Sequence, residues 1–174
     1  IESCMRSILT SRHPRFELIV VDDHSTDGTG EIARRVAASD ARVKVLTNPE
    51  LPEGWFGKQW ACHNGAAVAT GQLLLFTDAD TRHGAECLPR AVNAMRIRGA
   101  DLFSVAGQQV MASFWERTLM PMLNFVVFSI FPAPFSLVFY WPSLAIAHGA
   151  CLMFDRESYF QIGGHAAVRD QIFE

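Results

Sequence analysis

Two pairs of acidic residues have the type and spacing to do chemistry. Asp22-Asp23 closes the apolar run from Phe16 to Val21, and Asp78-Ala79-Asp80 closes the run from Gln72 to Thr77. Carboxylates gathered at one place repel one another unless a cation or hydrogen-bond donors sit among them. Hard oxygen ligands in an Asp-x-Asp spacing suit Mg2+ or Mn2+, ordinarily shared with the phosphate oxygens of a substrate. A single aspartate after a strand often does no more than cap the next helix. Two pairs at equivalent strand ends favour a shared site over two unrelated caps. The third feature is the stretch Gly54-Trp55-Phe56-Gly57-Lys58-Gln59-Trp60-Ala61-Cys62-His63-Asn64-Gly65. Gly57 lets backbone pass close to a ligand, and Lys58 at a helix start can meet a diphosphate. Neither GxxxxGK[ST] nor a GxGxxG after the first strand is present, which argues against a P-loop and a dinucleotide site. Trp55 and Trp60 read more readily as core or interface residues than as ligand platforms.

The elements that must position these residues follow from periodicity. Ile1, Met5, Ile8 and Leu9 have helical spacing. The β-branched run to Val21 predicts a strand buried on both faces. A polar turn leads from it into a helix over Gly30–Ser39, with Thr29 or Asp27 as the expected cap. A second strand covers Val43–Leu46, a helix runs from about Lys58 to Thr70, and the third strand is Gln72–Thr77. A helix over Glu86–Arg98 stops at Gly99, and Asp101–Ala106 forms a fourth strand. After Gln109 the alternation ends; Gly149–Phe154 reads as a strand, Asp155–Ile162 as a short helix and Gly163-Gly164 as a turn. Strands alternating with helices predict an α/β fold, a Rossmann-like open and mostly parallel sheet flanked by helices. Ligands of such sheets bind at the carboxyl ends of the strands, where both acidic pairs lie.

Composition narrows the partners. The 174 residues are 49% hydrophobic and 19% charged with a net charge of −3, which excludes disorder and leaves no basic excess for a nucleic-acid partner. Cys4, Cys62, Cys87 and Cys151 lack the spacing of a zinc site or a disulfide scaffold, so reduced buried thiols are expected. From Thr118 to Ala147 there is no Asp, Glu, Lys or Arg. Pro121, Pro132, Pro134 and Pro142 interrupt this stretch, and its longest proline-free piece, Met122 to Phe131, is about half a transmembrane span. It reads either as core covering the sheet or, preferably, as short interfacial helices resting on a bilayer. Trp115, Tyr140 and Trp141 near its ends fit an interfacial belt.

Several of these segments together resemble the inverting family 2 glycosyltransferases of the GT-A fold. Val20-Val21-Asp22-Asp23-His24-Ser25-Thr26-Asp27-Gly28-Thr29 is similar to their VVDDxSxDGT signature. Leu75-Phe76-Thr77-Asp78-Ala79-Asp80 resembles their DxD strand, and Gly57-Lys58 through Asn64-Gly65 their GK…N segment. The run from Gly149 to Arg156, with Ile162-Gly163-Gly164, is similar to the region before the catalytic acid. Leu51-Pro52-x-Gly54-Trp55-x-Gly57-Lys58 resembles the membrane-associated subgroup that glycosylates lipids, of hopanoid-associated and ceramide type. The resemblance implies a UDP-sugar donor, a hydroxyl acceptor that is a lipid, inversion of configuration, and a divalent Mg2+ or Mn2+ cofactor. It implies that Asp23 hydrogen-bonds the uracil with Asp22 beside it, and that Asp78 sits near the ribose and donor sugar. Asp80 would bind the metal, and Lys58 would approach the nucleotide or its phosphates. His148 and Gly149 fall where the family places the acceptor; a satisfied core histidine is an equal reading of His148. The expected location is the cytoplasmic face of a bacterial inner membrane.

By this resemblance residues 1–174 are one catalytic domain truncated at both ends. Residues 1–110 form the nucleotide-sugar half, and residues 111–174 the acceptor side. The family's base is the Asp of a Glu-Asp pair after the Gly-Gly turn. Glu174 matches the Glu, and the base itself would be the next residue. Asp170 is a rival, more readily read as a surface acid. The 174 residues alone are therefore expected to be inactive, and a transfer rate well above background would overturn this. The alternatives are a non-catalytic, membrane-associated module that binds nucleotide-sugar, and a nucleotidyltransferase using the same acids on a phosphate ester.

Overall fold

The computed structural model describes residues 1–130 and 147–171. Its helices and strands alternate as α1 (Glu2–Leu9), β1 (Leu18–Asp22), α2 (Thr29–Ser39), β2 (Val43–Thr47), α3 (Gly57–Val68), β3 (Leu73–Thr77) and α4 (Cys87–Arg98). There follow β4 (Leu102–Ser104), α5 (Phe114–Ile130), β5 (Cys151–Asp155), α6 (Arg156–Gln161) and a 3-10 helix over Gly164–Val168. The 3-10 helix has no counterpart in the sequence reading, which placed only a turn there.

β1 and β2 pair in parallel, Leu18 opposite Val43 through Asp22 opposite Thr47. In the second ladder β5 lies between β3 and β4 and runs antiparallel to both, with Leu75 and Phe103 flanking Met153. β3 and β4 are thus parallel to each other, as the crossover through α4 requires, but not adjacent. The mostly parallel sheet expected from the βαβ rhythm stops short of this ladder. That rhythm ends after Gln109, and the long connection leaves β5 free to return in the opposite sense.

Alternate side chains sort β3 onto two cores. Leu73 and Leu75 pack with Ala91, Val92 and Met95 of α4 around Met153. Leu74 and Phe76 face the other way, onto Ala66 of α3, Phe154 and the buried Tyr159 of α6. A strand covered on both faces has no polar alternation, which is why it reads as a continuous apolar run. A third core joins Met5 of α1 and Ala33 and Val36 of α2 to Val43. Glu17 ties the entrance of β1 to its surroundings, bonding Lys44 Nζ at 2.8 Å and the Thr70 N–H and hydroxyl.

The cap of α2 differs from expectation. Thr29 is the first helical residue, and Gly28 holds the cap position at φ +82°, a left-handed conformation that glycine adopts without strain. Asp27 accepts the Thr29 N–H at 3.0 Å. The four cysteines are free. Burial pushes the Cys151 thiol up to about 11 and raises that of Cys4, so both stay protonated, as the reading of inert buried thiols requires.

Candidate active site

The first turn of α3 lies between the two acidic strand ends. Phe56 precedes it in extended conformation and supplies no side-chain cap, so the first amides of the helix face the strand ends without a side chain of their own. On one side Gly57 abuts Asp23: a Cβ at this position would lie 3.0 Å from Asp23 Oδ2. On the other, Lys58 Nζ lies 3.1 Å from Asp78 Oδ1. A side chain at position 57 would crowd the Asp23 carboxylate, while Lys58, the next residue, reaches across to Asp78.

The two carboxylates of the first pair do different things. Asp22 is buried beneath α2, where Oδ1 accepts the Ser25 N–H at 3.2 Å and Oδ2 lies 3.7 Å from the Arg34 guanidinium. A Cβ on Gly30 would overlap that Oδ2. Asp22 therefore organises the turn. Asp23 is exposed, and its Oδ1 accepts from Asn48 Nδ2 at 2.8 Å. Asn48, 2% exposed, accepts in turn from Asn64 Nδ2 at 2.8 Å, and its N–H bonds the Asp22 carbonyl at 2.9 Å. The chain Asn64–Asn48–Asp23 fixes the carboxylate from behind and leaves its outer face to solvent. Asn48 was not singled out in the sequence, and its only signal there is an amide at the end of a strand, just before Pro49.

Substitution of Asn48 tests this pinning. Asn48→Asp places a carboxyl in hydrogen-bond contact with Asp23, and two such groups share a proton rather than both ionise. The shared carboxyl's folded pKa lies above its unfolded one, so the stability it lends is present at low pH and lost as pH rises. The expected result is a melting temperature that falls, relative to the unsubstituted protein, between about pH 4 and pH 7. A pH-independent difference in thermal melts would refute it.

The second pair sits on a turn braced from below. The Thr81 hydroxyl donates to the Asp78 carbonyl at 2.7 Å, and the Cys4 thiol approaches the same carbonyl at 3.6 Å. His83 Nε2 lies 2.9 Å from the Thr77 hydroxyl and 3.1 Å from that of Thr81. Burial lowers the His83 pKa, keeping the ring neutral. His83 is another residue the sequence reading passed over. Asp78 is half-buried, and Asp80, two residues further along the turn, is exposed. Among the described residues no three His, Cys, Asp or Glu side chains converge to hold a metal by themselves. An Mg2+ or Mn2+ ion here would therefore take most of its ligands from water and substrate oxygens, the usual condition for Mg2+ on one or two carboxylates. Asp80 fits that donor set; Asp78 already faces Lys58.

The acceptor-side candidates come to the same edge. The Thr77 hydroxyl donates to the Ala150 carbonyl at 2.9 Å, and the exposed His148 bonds Ser104 at the end of β4 through its backbone N–H. Gly149 lies between them, one turn before β5. His148 is not a satisfied core histidine. His24, at φ +58°, is an exposed turn residue. Asp170 is exposed and accepts from the neighbouring Gln171 amide at 3.4 Å. Glu174 lies outside the described residues. A cavity of about 1020 Å³ opens at the opposite end of β3, among Gln72, Arg96, Asp101 and Arg156, and none of the acids above lines it. Trp55, Trp60 and His63 pack against one another, with Trp60 Nε1 donating to the Pro49 carbonyl, in keeping with a structural reading of both tryptophans.

An α/β domain with acidic strand ends gathered around the start of a lysine-bearing helix has the architecture of the GT-A-like glycosyltransferase folds. The chain belongs to glycosyl transferase family 2, whose model matches residues 1–163. It is 29% identical over 170 residues to 4,4'-diaponeurosporenoate glycosyltransferase of Staphylococcus haemolyticus, covering 95% of this chain and 44% of that protein. It is 30% identical over 104 residues to glycosyltransferase AglE of Haloferax volcanii, covering 59% of this chain and 33% of that one. In fold it is similar to the mannosyltransferase PcManGT from Pyrobaculum calidifontis, solved in complex with GDP-Man and Mn2+. The TM-score is 0.66 at 24% identity, over 94% of this chain and 43% of that one. The chain thus spans less than half the length of these relatives.

Proposed function

We propose that the complete protein transfers a sugar from a UDP-sugar to a hydroxyl of a lipid acceptor, with inversion and with a divalent cation. The observation that carries this reading is the first turn of α3, which meets Asp23 through Gly57 and Asp78 through Lys58. Asp23, pinned by Asn48, presents a carboxylate to the imide N–H of a uracil. The Lys58 ammonium and the amides at the start of α3 are placed to take a diphosphate. Asp80 would hold Mg2+ or Mn2+ together with the diphosphate oxygens, and the bound ion would offset charge on the departing nucleotide. The mannosyltransferase neighbour, with its nucleotide-sugar and Mn2+, supports the donor class and the cation.

On the acceptor side, His148 and Gly149 border the space where the donor sugar would lie. A general base would take the proton from the acceptor hydroxyl as it displaces UDP. General-base help of this kind is worth roughly 10²–10⁴ in rate. The acceptor's lipid nature rests on α5. Phe114 is 72% and Phe125 74% exposed, and Trp115, Met122 and Ile130 are exposed as well. Pro121 interrupts the hydrogen bonding of this 17-residue helix, and no described helix is long and apolar enough to cross a membrane. Such a helix suits lying in the interface of a cytoplasmic membrane leaflet, beside the acceptor side of the site. The relative from Staphylococcus haemolyticus, a 4,4'-diaponeurosporenoate glycosyltransferase, is consistent with an apolar acceptor.

Titration of the complete protein with UDP and GDP, each with and without Mn2+, tests the donor. Tighter binding of UDP that depends on Mn2+ is expected. Preference for GDP would move the reading to a guanosine donor, and indifference to both would remove it.

A further inference from the structure

The last described stretch of chain is fastened to the donor helix. Gln59, only 3% exposed, donates from Nε2 to the Gln171 carbonyl at 2.8 Å. The Phe56 N–H donates to the Arg169 carbonyl at 2.9 Å. Both donors lie at the first turn of α3, the turn that sets Gly57 against Asp23 and Lys58 against Asp78. The segment they hold follows the 3-10 helix. That helix is itself anchored by His165 Nδ1 on the Tyr159 hydroxyl at 2.7 Å and by the His165 ring against Phe76. One helical turn therefore touches both donor-side acids and the acceptor-side segment.

A buried amide persists in a core only where its polar atoms are met. An apolar side chain of the same length would fill the space beneath 169–171 equally well, but would leave the Gln171 carbonyl without this donor. The bond spans 112 positions of sequence and joins the two halves of the domain. Its role is one of registration rather than bulk.

We infer that Gln59 is a positioning residue. Its amide fixes residues 169–171 over the first turn of α3, so that acceptor-side groups stand in register with a donor held by that same turn. This rests on the nucleotide-sugar reading of the site. Misplacing reacting groups by about 1 Å costs on the order of 10²-fold in rate without weakening the binding of either partner. The signature of lost registration is thus a fall in kcat at unchanged donor affinity.

The test uses the complete protein with Gln59→Met, which keeps length and suits a buried site. Gln59→Glu replaces the donor with an acceptor facing the same carbonyl, and Gln59→His restores an N–H in the same direction. We expect Gln59→Met and Gln59→Glu to lower kcat for transfer about 10- to 100-fold, with UDP affinity and donor KM within about 2-fold. Amide hydrogen exchange over 164–171 should quicken in both, and Gln59→His should recover most of kcat. A Gln59→Met protein that folds and keeps its kcat overturns the role. So does one whose kcat and donor affinity fall together, since that marks simple damage to α3. An unsubstituted protein that neither binds nor turns over a UDP-sugar would overturn the nucleotide-sugar reading first, and this role with it.

Discussion

Asp80→Ala in the complete protein is expected to lower sugar transfer on the order of 10³-fold and to abolish the Mn2+ dependence of UDP binding. The expectation follows from how differently the two acids of the Asp-x-Asp turn are engaged. Asp78 has Lys58 Nζ at 3.1 Å and its carbonyl held by Thr81, so its carboxylate already has a cationic partner. Asp80 is exposed on the same turn. A cation arriving with a diphosphate would take its protein ligand there. Losing that ligand would forfeit several kcal/mol of charge stabilisation on the leaving nucleotide, and each 1.36 kcal/mol is about tenfold in rate.

The same geometry predicts an asymmetry between the acids. Asp78→Asn should retain part of its Mn2+ response while raising the donor KM, because Lys58 loses the anchor that aims it. Isothermal titration of UDP with and without Mn2+ checks both substitutions. Equal UDP affinity in the two conditions for the unsubstituted protein, or an Asp80→Ala protein that keeps the Mn2+ effect, would refute the assignment.

Much of this arrangement is legible in the sequence because it is local. Asp22-Asp23 and Asp78-x-Asp80 follow apolar runs directly, and Gly57-Lys58 opens a helix, so pattern and chemistry coincide within a few residues of each. The residues that were missed act across the chain. Asn48 matters because β2 pairs with β1 in a register that sets Thr47 beside Asp22, which no local pattern encodes. His83 matters because β3 and the turn after it bring Thr77 and Thr81 to its ring. The antiparallel insertion of β5 between β3 and β4 was likewise invisible. A six-residue apolar run carries no direction, and only the connection before it decides which way the strand enters. Gly163-Gly164 marks a change of direction in the sequence, but Gly164 opens the 3-10 helix, and what the pair demands is visible only with Tyr159 in place.

That turn carries the second large effect, on stability. Gly163 and Gly164 both have positive φ, +85° and +50°, so alanine at either would be strained by about 1–2 kcal/mol. Their surroundings differ. A Cβ on Gly163 would lie 3.3 Å from Ala167 Cβ, a contact that a small local shift relieves. A Cβ on Gly164 would overlap the ring and hydroxyl of Tyr159. Tyr159 is 1% exposed, packed against Phe76 and Phe154, and cannot swing away. Its hydroxyl also accepts the His165 N–H at 3.1 Å, so displacing the ring breaks the anchor of the 3-10 helix. Overpacking costs about 1–3 kcal/mol and each lost buried hydrogen bond about 1 kcal/mol more. Gly164→Ala should therefore destabilise the domain by about 4 kcal/mol or more, against about 1–2 kcal/mol for Gly163→Ala. Urea unfolding of the two variants side by side checks the difference, and equal midpoints would show that Tyr159 yields. Because the 3-10 helix delivers residues 169–171 to α3, a Gly164→Ala protein rescued for folding by low temperature should still bind UDP. Its transfer should fall in the manner of Gln59→Met, since the contacts of Gly57 with Asp23 and of Lys58 with Asp78 are made at the first turn of α3 and not by Tyr159.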